Sequence, residues 1–134
     1  MSNVKLSARS QERLDQVHPD LRAVCVEAFK NMPFDVTITE GMRTVEKQRE
    51  YVANGTSWTM NSKHLRQSDG YSHAIDIVPY PVDWNNLERF VVMAAHMLAA
   101  ADKLGVRVVW GGTWAPTTDG WNKNKRFDGP HFEI

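Results

Sequence analysis

Histidine and aspartate residues concentrate at two places in this 134-residue sequence. The first, SKHLRQSDGYSHAID at positions 62–76, contains four candidate metal ligands: His64, Asp69, His73 and Asp76. The second, DGPHFEI at positions 128–134, contains Asp128 and His131 three positions apart. A zinc hydrolase needs about three His or carboxylate ligands, an open position for water and a nearby carboxylate as general base. The two clusters together contain enough residues for such a site.

Strand geometry separates the candidates in the first cluster. Side chains alternate along a β-strand, so in HAID Asp76 lies on the same face as Ala74, and His73 lies on the other face with Ile75. If Asp76 points into the site, His73 points away from it, unless His73 precedes the strand proper. The residue pattern alone therefore leaves both His64 and His73 as possible ligands and favours His64.

The C-terminal cluster offers two possible bases. In HFEI the side chains of His131 and Glu133 share one face of a predicted strand. Asp128 precedes them across Gly129-Pro130, a turn that can aim its carboxylate at a catalytic water. Glu133 is a rival base, but it points the same way as His131 from deeper within the strand. Of the remaining histidines, we expect His18 to cap a helix or lie on the surface.

The elements that must position these residues follow from periodicity and capping signals. Helices are predicted at 7–16, 19–32, 44–53 and 85–104, and strands at 34–40, 74–80, 106–110 and 131–134. The last helix has the clearest apolar stripe: Leu87, Phe90, Val91, Ala94, Met97, Leu98 and Leu104. Residues 55–73 form a polar loop, long enough to indicate a functional role. The pattern predicts an α+β fold with a small mixed, mostly antiparallel sheet flanked by helices.

Composition narrows the classes of function. The 16 basic and 16 acidic residues give a formal net charge of zero, so we expect no nucleic-acid partner. The single cysteine, Cys25, lies on an apolar helix face and is predicted to be a core thiol. We find neither an apolar signal segment nor 18 consecutive apolar residues, so we expect no stable membrane association.

Several motifs, in order along the chain, resemble those of a known family. They are GMRT (41–44) with Gln48, VANGTS (52–57), Ser62-x-His64, Ala74-x-Asp76, VDWNNLERF (82–90), WGGTW (110–114) and Asp128-x-x-His131. The pattern is similar to that of the LAS zinc peptidases, which are related to D-alanyl-D-alanine peptidases and hedgehog domains. Within that group it most resembles the VanY-like phage L-alanyl-D-glutamate endopeptidases. The resemblance implies a LAS/hedgehog-like metallopeptidase fold.

The resemblance also implies roles for particular residues. One Zn²⁺ per chain would be held by His64, Asp76 and His131, and Asp128 would be the general base. Arg43 would bind the scissile carbonyl or its oxyanion. Three residues are expected on the substrate side: Gln48, Ser62, which would support the ligand loop rather than react, and Trp114. With Trp58 and Trp121, Trp114 would either line a groove for the stem peptide or pack within its own loop.

The spacing of the first motif departs from the family pattern. Ser-x-His-x-x-Gly-x-Ala-x-Asp is usual, whereas His64 and Asp76 are twelve positions apart here and Ser72 occupies the glycine position. The additional residues enlarge the connection between two ligands. This departure keeps His73 open as an alternative to His64.

The resemblance predicts a zinc-dependent hydrolase that cleaves peptidoglycan stems at the L-alanyl-D-glutamate bond. We expect residues 1–134 to form one peptidase domain, monomeric and without a separate cell-wall-binding domain. As a phage lysis enzyme it would remain in the host cytoplasm until holin-dependent release and then act on the wall. Two alternatives remain: a D-alanyl-D-alanine carboxypeptidase, and a non-catalytic zinc-containing wall-binding module, against which the presence of Asp128 argues.

Overall fold

The part of the chain that the structure describes contains four α-helices and one four-stranded sheet. In a computed structural model, the described residues are 4–57, 59–114 and 128–134. The helices are α1 (Ala8–Asp15), α2 (Pro19–Phe29), α3 (Val45–Ala53) and α4 (Leu87–Leu104). The strands are β1 (Asp35–Glu40), β2 (Ala74–Tyr80), β3 (Val109–Trp110) and β4 (His131–Glu133), and a short 3₁₀ helix spans Gly111–Trp114. Within these described ranges, no helix is sufficiently long and apolar to span a bilayer.

Side-chain caps determine where the helices begin. Ser7 Oγ accepts the backbone N–H of Ser10 at the start of α1, and Thr44 Oγ1 accepts that of Lys47 at the start of α3. His18 caps α2: its Nδ1 accepts the N–H of the helical residue Asp20 at 3.0 Å. The expected capping role of His18 is therefore confirmed. Helix α4 ends at Gly105, which adopts a left-handed φ of 70°, as glycines at the C-terminal end of a helix commonly do.

The sheet brings polar residues of three strands side by side. Its strand order is β1-β2-β4-β3, and each of the three strand pairs is antiparallel. Asp76 on β2 lies between Glu40 on β1 and His131 on β4 in the register. The β1–β2 register shifts between Ile38 and Glu40, the kind of irregularity that redirects a side chain beside a functional site. The expected α+β class is confirmed, with an antiparallel rather than a mixed sheet.

The core lies between the sheet and helices α2 and α4. Ile75, Ile77 and Phe132 from the sheet are fully buried with Leu21 and Met97 from the helices. Each of these positions lies on the apolar face that periodicity predicts. Helix α1 packs along β1 and extends the covered surface of the sheet. The site described below lies on the part of the sheet that these core contacts hold fixed.

Three details of the predicted elements are corrected. Helix α2 ends at Phe29 rather than residue 32, because Lys30 and Asn31 donate to carbonyls three residues back and tighten the last turn. The third strand begins at Val109 rather than 106, because the N–H of Val106 is used to close α4. The buried face of α4 is rotated relative to the predicted stripe: Val91 and Leu104 are exposed, whereas Met93 is buried.

The buried position of Cys25 leads to a test of the core. Its side chain has no exposed surface, and burial raises the pKa of the thiol to about 12. Since the thiolate is the reactive form, we expect the native protein at pH 8 to resist labelling by a thiol reagent such as Ellman's reagent. One thiol per chain should become reactive on unfolding in guanidinium chloride. Rapid labelling of the native protein would contradict this packing.

Candidate metal centre

Three potential ligand atoms converge on one point beside the sheet. His64 Nε2 lies 3.1 Å from Asp76 Oδ1 and 3.2 Å from His131 Nδ1, and the last two atoms are 3.3 Å apart. Zinc bonds of about 2.0–2.1 Å at tetrahedral angles separate ligand atoms by about 3.3–3.4 Å. The three distances therefore fit three corners of a tetrahedral zinc site. His64 and His131 are almost completely buried, and Asp76 is half-buried.

Hydrogen bonds behind the histidines leave the converging nitrogens without protons. His64 Nδ1 donates to the backbone oxygen of Gly41 at 2.8 Å, and His131 Nε2 donates to Glu133 Oε1 at 2.8 Å. In each neutral ring the other nitrogen carries a lone pair, and both lone pairs face the Asp76 carboxylate. Three acceptors this close repel one another unless a cation or added protons lie between them. Such outer partners are typical of histidines that bind a metal.

The pKa shifts of these side chains also indicate that positive charge is favoured between them. Burial disfavours the charged form of Asp76, but the adjacent His64 and His131 outweigh burial and lower the pKa of its carboxyl well below the usual range. Burial likewise opposes charge on His131, yet its hydrogen bonds with Asp76 and Glu133 raise its pKa to about 9. Both shifts favour positive charge at the point where the three atoms converge.

Asp128 lies at the edge of the same site, in the turn before β4. Its backbone N–H donates to the Gly111 oxygen at 3.2 Å, and its own carbonyl accepts from the N–H of His131 at 3.2 Å. Burial, followed by repulsion from the Asp76 charge, raises the pKa of the Asp128 carboxyl to about 6. A carboxylate with this proton affinity can take up and release a proton near neutral pH.

Gly111 allows the turn to approach closely. A Cβ at this position would lie 2.4 Å from the backbone oxygen of Asp128, 2.9 Å from Asp128 Cβ and 3.0 Å from His131 Cβ. These are main-chain or β-carbon atoms, which cannot move away by a simple change of rotamer. Glycine is thus required here by space, and it sets the distance between the 3₁₀ helix and the segment that carries Asp128.

Arg43 enters the site from the turn before α3 and is held on three sides. Its Nε donates to Glu40 Oε1 at 2.8 Å, and its Nη2 pairs with the same oxygen. Its Nη1 donates to Gln48 Oε1 at 2.6 Å, and its guanidinium lies over the Tyr51 ring at 4.6 Å. The contacts combine ion pairing, hydrogen bonding and a cation–π interaction. The guanidinium therefore has a fixed orientation.

Gln48 is completely buried beneath Arg43, which corrects the expectation that it contacts substrate directly. Its Nε2 donates to Ser57 Oγ at 3.0 Å and to the backbone oxygen of Thr59 at 2.5 Å. Gln48 thus connects the site arginine to the loop that follows α3. Ser62 Oγ accepts the backbone N–H of His64 at 3.1 Å, which supports the ligand loop as expected.

A cavity of about 680 Å³ opens over the converging atoms. Its lining includes the three potential metal ligands, Asp128 and Arg43. The segment after α3 adds a polar wall: Thr56, Ser57, Thr59, Asn61, Ser62 and Lys63. Hydroxyl and amide groups of this kind can hydrogen-bond to an extended peptide. Trp58 and Trp121 lie outside the described residues, and the side chain of Trp114 does as well.

His73 lies away from this centre. Its Nε2 donates to Asp69 Oδ2 at 2.7 Å, and His18 Nε2 faces the same oxygen at 3.6 Å. Because His18 Nδ1 accepts the cap from Asp20, the proton of the neutral ring lies on Nε2, on the side of Asp69; within this cluster of three the His73–Asp69 contact is the hydrogen bond. The structure brings His64, not His73, together with Asp76 and His131, as strand parity favours. The His18–Asp69–His73 cluster instead anchors the lengthened loop to the start of α2.

Three residues important to the geometry were not identified from the sequence: Gly41, Glu40 and Gly111. Gly41 stands in the sequence only as the first residue of the GMRT motif, but its carbonyl fixes the His64 ring. Glu40 ends a predicted strand three residues before Arg43, and this spacing with opposite charge is a signal that could have been used. Gly111 is recognisable only from the close approach of two segments distant in sequence.

The chain is similar to known proteins over almost its whole length. A family model described as phage L-alanyl-D-glutamate peptidase matches residues 1–134. The L-alanyl-D-glutamate peptidase of Escherichia phage T5 is 33% identical over 135 residues, covering 97% of each chain. The crystal structure of the Serratia marcescens L-Ala D-Glu endopeptidase ChiX matches with a TM-score of 0.79 and 34% identity, covering 97% of this chain and 90% of that one. The chain belongs to the phage L-alanyl-D-glutamate peptidase family.

Proposed function

We propose that this protein is a zinc peptidase that cleaves the L-alanyl-D-glutamate bond in the peptide stems of bacterial peptidoglycan. The observation that carries the proposal is the convergence of His64 Nε2, Asp76 Oδ1 and His131 Nδ1 at 3.1–3.3 Å within a polar cavity. Two imidazoles and one carboxylate are a ligand set typical of catalytic zinc. The family and the two relatives support the same scissile bond.

His64, Asp76 and His131 would hold the zinc ion, and the cavity beside them would give water and substrate access to it. When bound, zinc supplies Lewis acidity, which activates water at neutral pH and polarises a peptide carbonyl. Asp128 takes the proton from the attacking water and then delivers it to the leaving amine. Its raised pKa suits both steps.

Arg43 is the group best placed to stabilise charge on the carbonyl oxygen. Its bonds to Glu40 and Gln48 use three of the five guanidinium N–H groups. One N–H on Nη1 and one on Nη2 therefore remain to donate to a substrate oxygen. Because Glu40, Gln48 and Tyr51 hold the guanidinium before substrate arrives, little reorganisation is needed as charge develops.

The place of action follows from the substrate. As a member of a phage peptidase family, the protein acts on the cell wall, outside the membrane that encloses the host cytoplasm. We infer that it acts as a monomer. We also infer that it reaches the wall after a holin opens that membrane. Lysis of cells expressing the protein with and without a holin tests this inference, since lysis without a holin would contradict it.

The direct test of the reaction is digestion of a defined muropeptide by the zinc-loaded protein, followed by mass spectrometry. Cleavage should separate L-alanine from the D-glutamyl remainder of the stem. Release of free D-alanine instead would identify a D-alanyl-D-alanine carboxypeptidase. Zinc binding without any hydrolysis would identify a wall-binding module.

Replacing Asp128 with Asn should remove proton transfer but retain the metal site. We expect kcat/KM to fall by about 10²–10⁴-fold, the usual contribution of general acid–base catalysis. Zinc content, measured by elemental analysis, should stay near one per chain. Wild-type activity in Asp128→Asn would contradict the assignment of this residue as the base.

Replacing each of two histidines tests which one binds zinc. His64→Ala should lose zinc, because it removes one of three protein ligands. His73→Ala should keep about one zinc per chain, since its imidazole is bonded to Asp69 instead. His96→Ala, on α4, is the matched control. Zinc loss in His73→Ala with retention in His64→Ala would transfer the ligand role to His73.

Gly111→Ala should displace Asp128 and His131, because the added methyl group cannot fit beside them. We expect kcat/KM to fall at least about tenfold, the cost of a small misplacement of catalytic groups. Gly105→Ala is the control. It strains a left-handed backbone at the end of α4, which costs about 1 kcal/mol of stability, but the added Cβ would have no neighbouring atom within 4 Å. Equal loss of activity in both variants would show that stability, not geometry, is responsible.

A further inference from the structure

The cavity over the metal centre is lined by more carboxylates than lysine and arginine side chains. Among the described residues, four carboxylates line it: Glu40, Asp76, Asp128 and Glu133. Besides the two histidines of the metal centre, the described lining contains two cationic side chains, Arg43 and Lys63. A carboxylate of the substrate that lies away from the metal position is therefore repelled unless one of these two cations receives it.

Arg43 is largely committed to groups within the protein. Its positive charge is paired with Glu40, and the two side chains are only 10% and 19% exposed. Its two remaining N–H groups are those assigned above to the carbonyl oxygen of the substrate. An anionic group elsewhere on the substrate therefore needs a different cation.

Lys63 is the cation that meets this requirement. Its side chain is exposed, and its Nζ donates to the Ile134 oxygen at 3.0 Å, which uses one of three ammonium protons. Glu133 lies next to Ile134 at the same edge; its hydrogen bond to His131, with a smaller contribution from the nearby Lys63 charge, lowers the pKa of its carboxyl. The Lys63 ammonium group keeps two further N–H donors for a ligand in the cavity.

The main chain at Lys63 is rigid. Its carbonyl accepts the N–H of His73 at 2.8 Å, and the following residue is the buried His64. The exposed part of the side chain thus extends from a fixed point directly beside a metal-ligand segment. A flexible side chain with a terminal ammonium group, attached to a fixed backbone position, is suited to recognise a charge close to the reacting bond.

The substrate of the proposed reaction carries such a charge. Glutamate has two carboxyl groups, and only one can continue the peptide chain, so the residue after the scissile bond presents a second carboxyl group. We propose that Lys63 forms a carboxylate subsite that binds this free carboxyl group of the D-glutamyl residue. The inference rests on the proposed function, which supplies the position of the glutamyl residue.

The test compares two stem peptides that differ only in this group: one with D-glutamate and one with D-isoglutamine, in which the free carboxyl group is a carboxamide. The wild-type, zinc-loaded protein should cleave the acid with a kcat/KM at least about tenfold higher, as expected for loss of one charge-assisted hydrogen bond. In Lys63→Met the two values should lie within about twofold of each other. Lys63→Arg should retain the preference for the acid.

Lys103→Met, which alters an α4 lysine paired with Glu27, is the control and should keep the wild-type preference. Calorimetry gives a second readout independent of turnover. The cleaved product that begins with D-glutamate should bind wild-type protein at least about tenfold more tightly than its D-isoglutamine counterpart, and Lys63→Met should abolish this difference.

The outcomes separate the subsite from the proposed function. If Lys63→Met keeps the preference for the acid, or if the wild-type protein cleaves both peptides equally, the subsite is contradicted while the peptidase assignment stands. If the wild-type protein cleaves neither peptide at the alanyl–glutamyl bond, the proposed function fails and the subsite with it. A lower melting temperature for Lys63→Met with an unchanged preference would show that Lys63 only anchors Ile134.

Discussion

Three hydrogen-bond acceptors converge inside this protein, and the surrounding structure depends on keeping them together. His64 Nε2, His131 Nδ1 and Asp76 Oδ1 repel one another at 3.1–3.3 Å without a cation. Folding must therefore impose the arrangement. The carbonyl of Gly41 and the carboxylate of Glu133 each bind the distal nitrogen of one imidazole and so fix which nitrogen faces the centre.

The fold supplies these constraints from segments that are distant in sequence. Antiparallel pairing of β2 with β4 places Asp76 opposite His131, so two of the acceptors follow from register alone. The third depends on helix α1: a Cβ on Gly41 would lie 2.3 Å from the backbone oxygen of Arg13, so the helix backbone lies directly against this glycine. The α1 helix therefore supports the carbonyl that orients His64, although none of its residues lines the cavity.

Sequence periodicity could predict the parts of this arrangement that depend on local chemistry. Thr44 caps α3 as expected, β2 spans the predicted residues, and alternation along HAID correctly separated Asp76 from His73. Other features depend on contacts between distant segments. The rotated face of α4 follows from its packing against α2 and the sheet, and the burial of Gln48 follows from the path of the loop at Ser57 and Thr59. Neither contact leaves a periodic signal in the chain.

His64 and Asp76 are twelve positions apart in the sequence, yet their ligand atoms lie 3.1 Å apart in the structure. A longer loop between two ligands therefore need not move them apart. Lengthening a loop adds little closure entropy, so an insertion is tolerated if its ends remain in place. Here the inserted segment is anchored: Ser72 exchanges backbone hydrogen bonds with Gln16 and His18, and the His73 side chain is held by Asp69. The main chain of His73 also bonds Lys63 and Ile134, which adjoin the two histidine-bearing segments. His73, which the sequence leaves as an alternative to His64 as a metal ligand, thus uses its backbone to hold both segments beside Asp76.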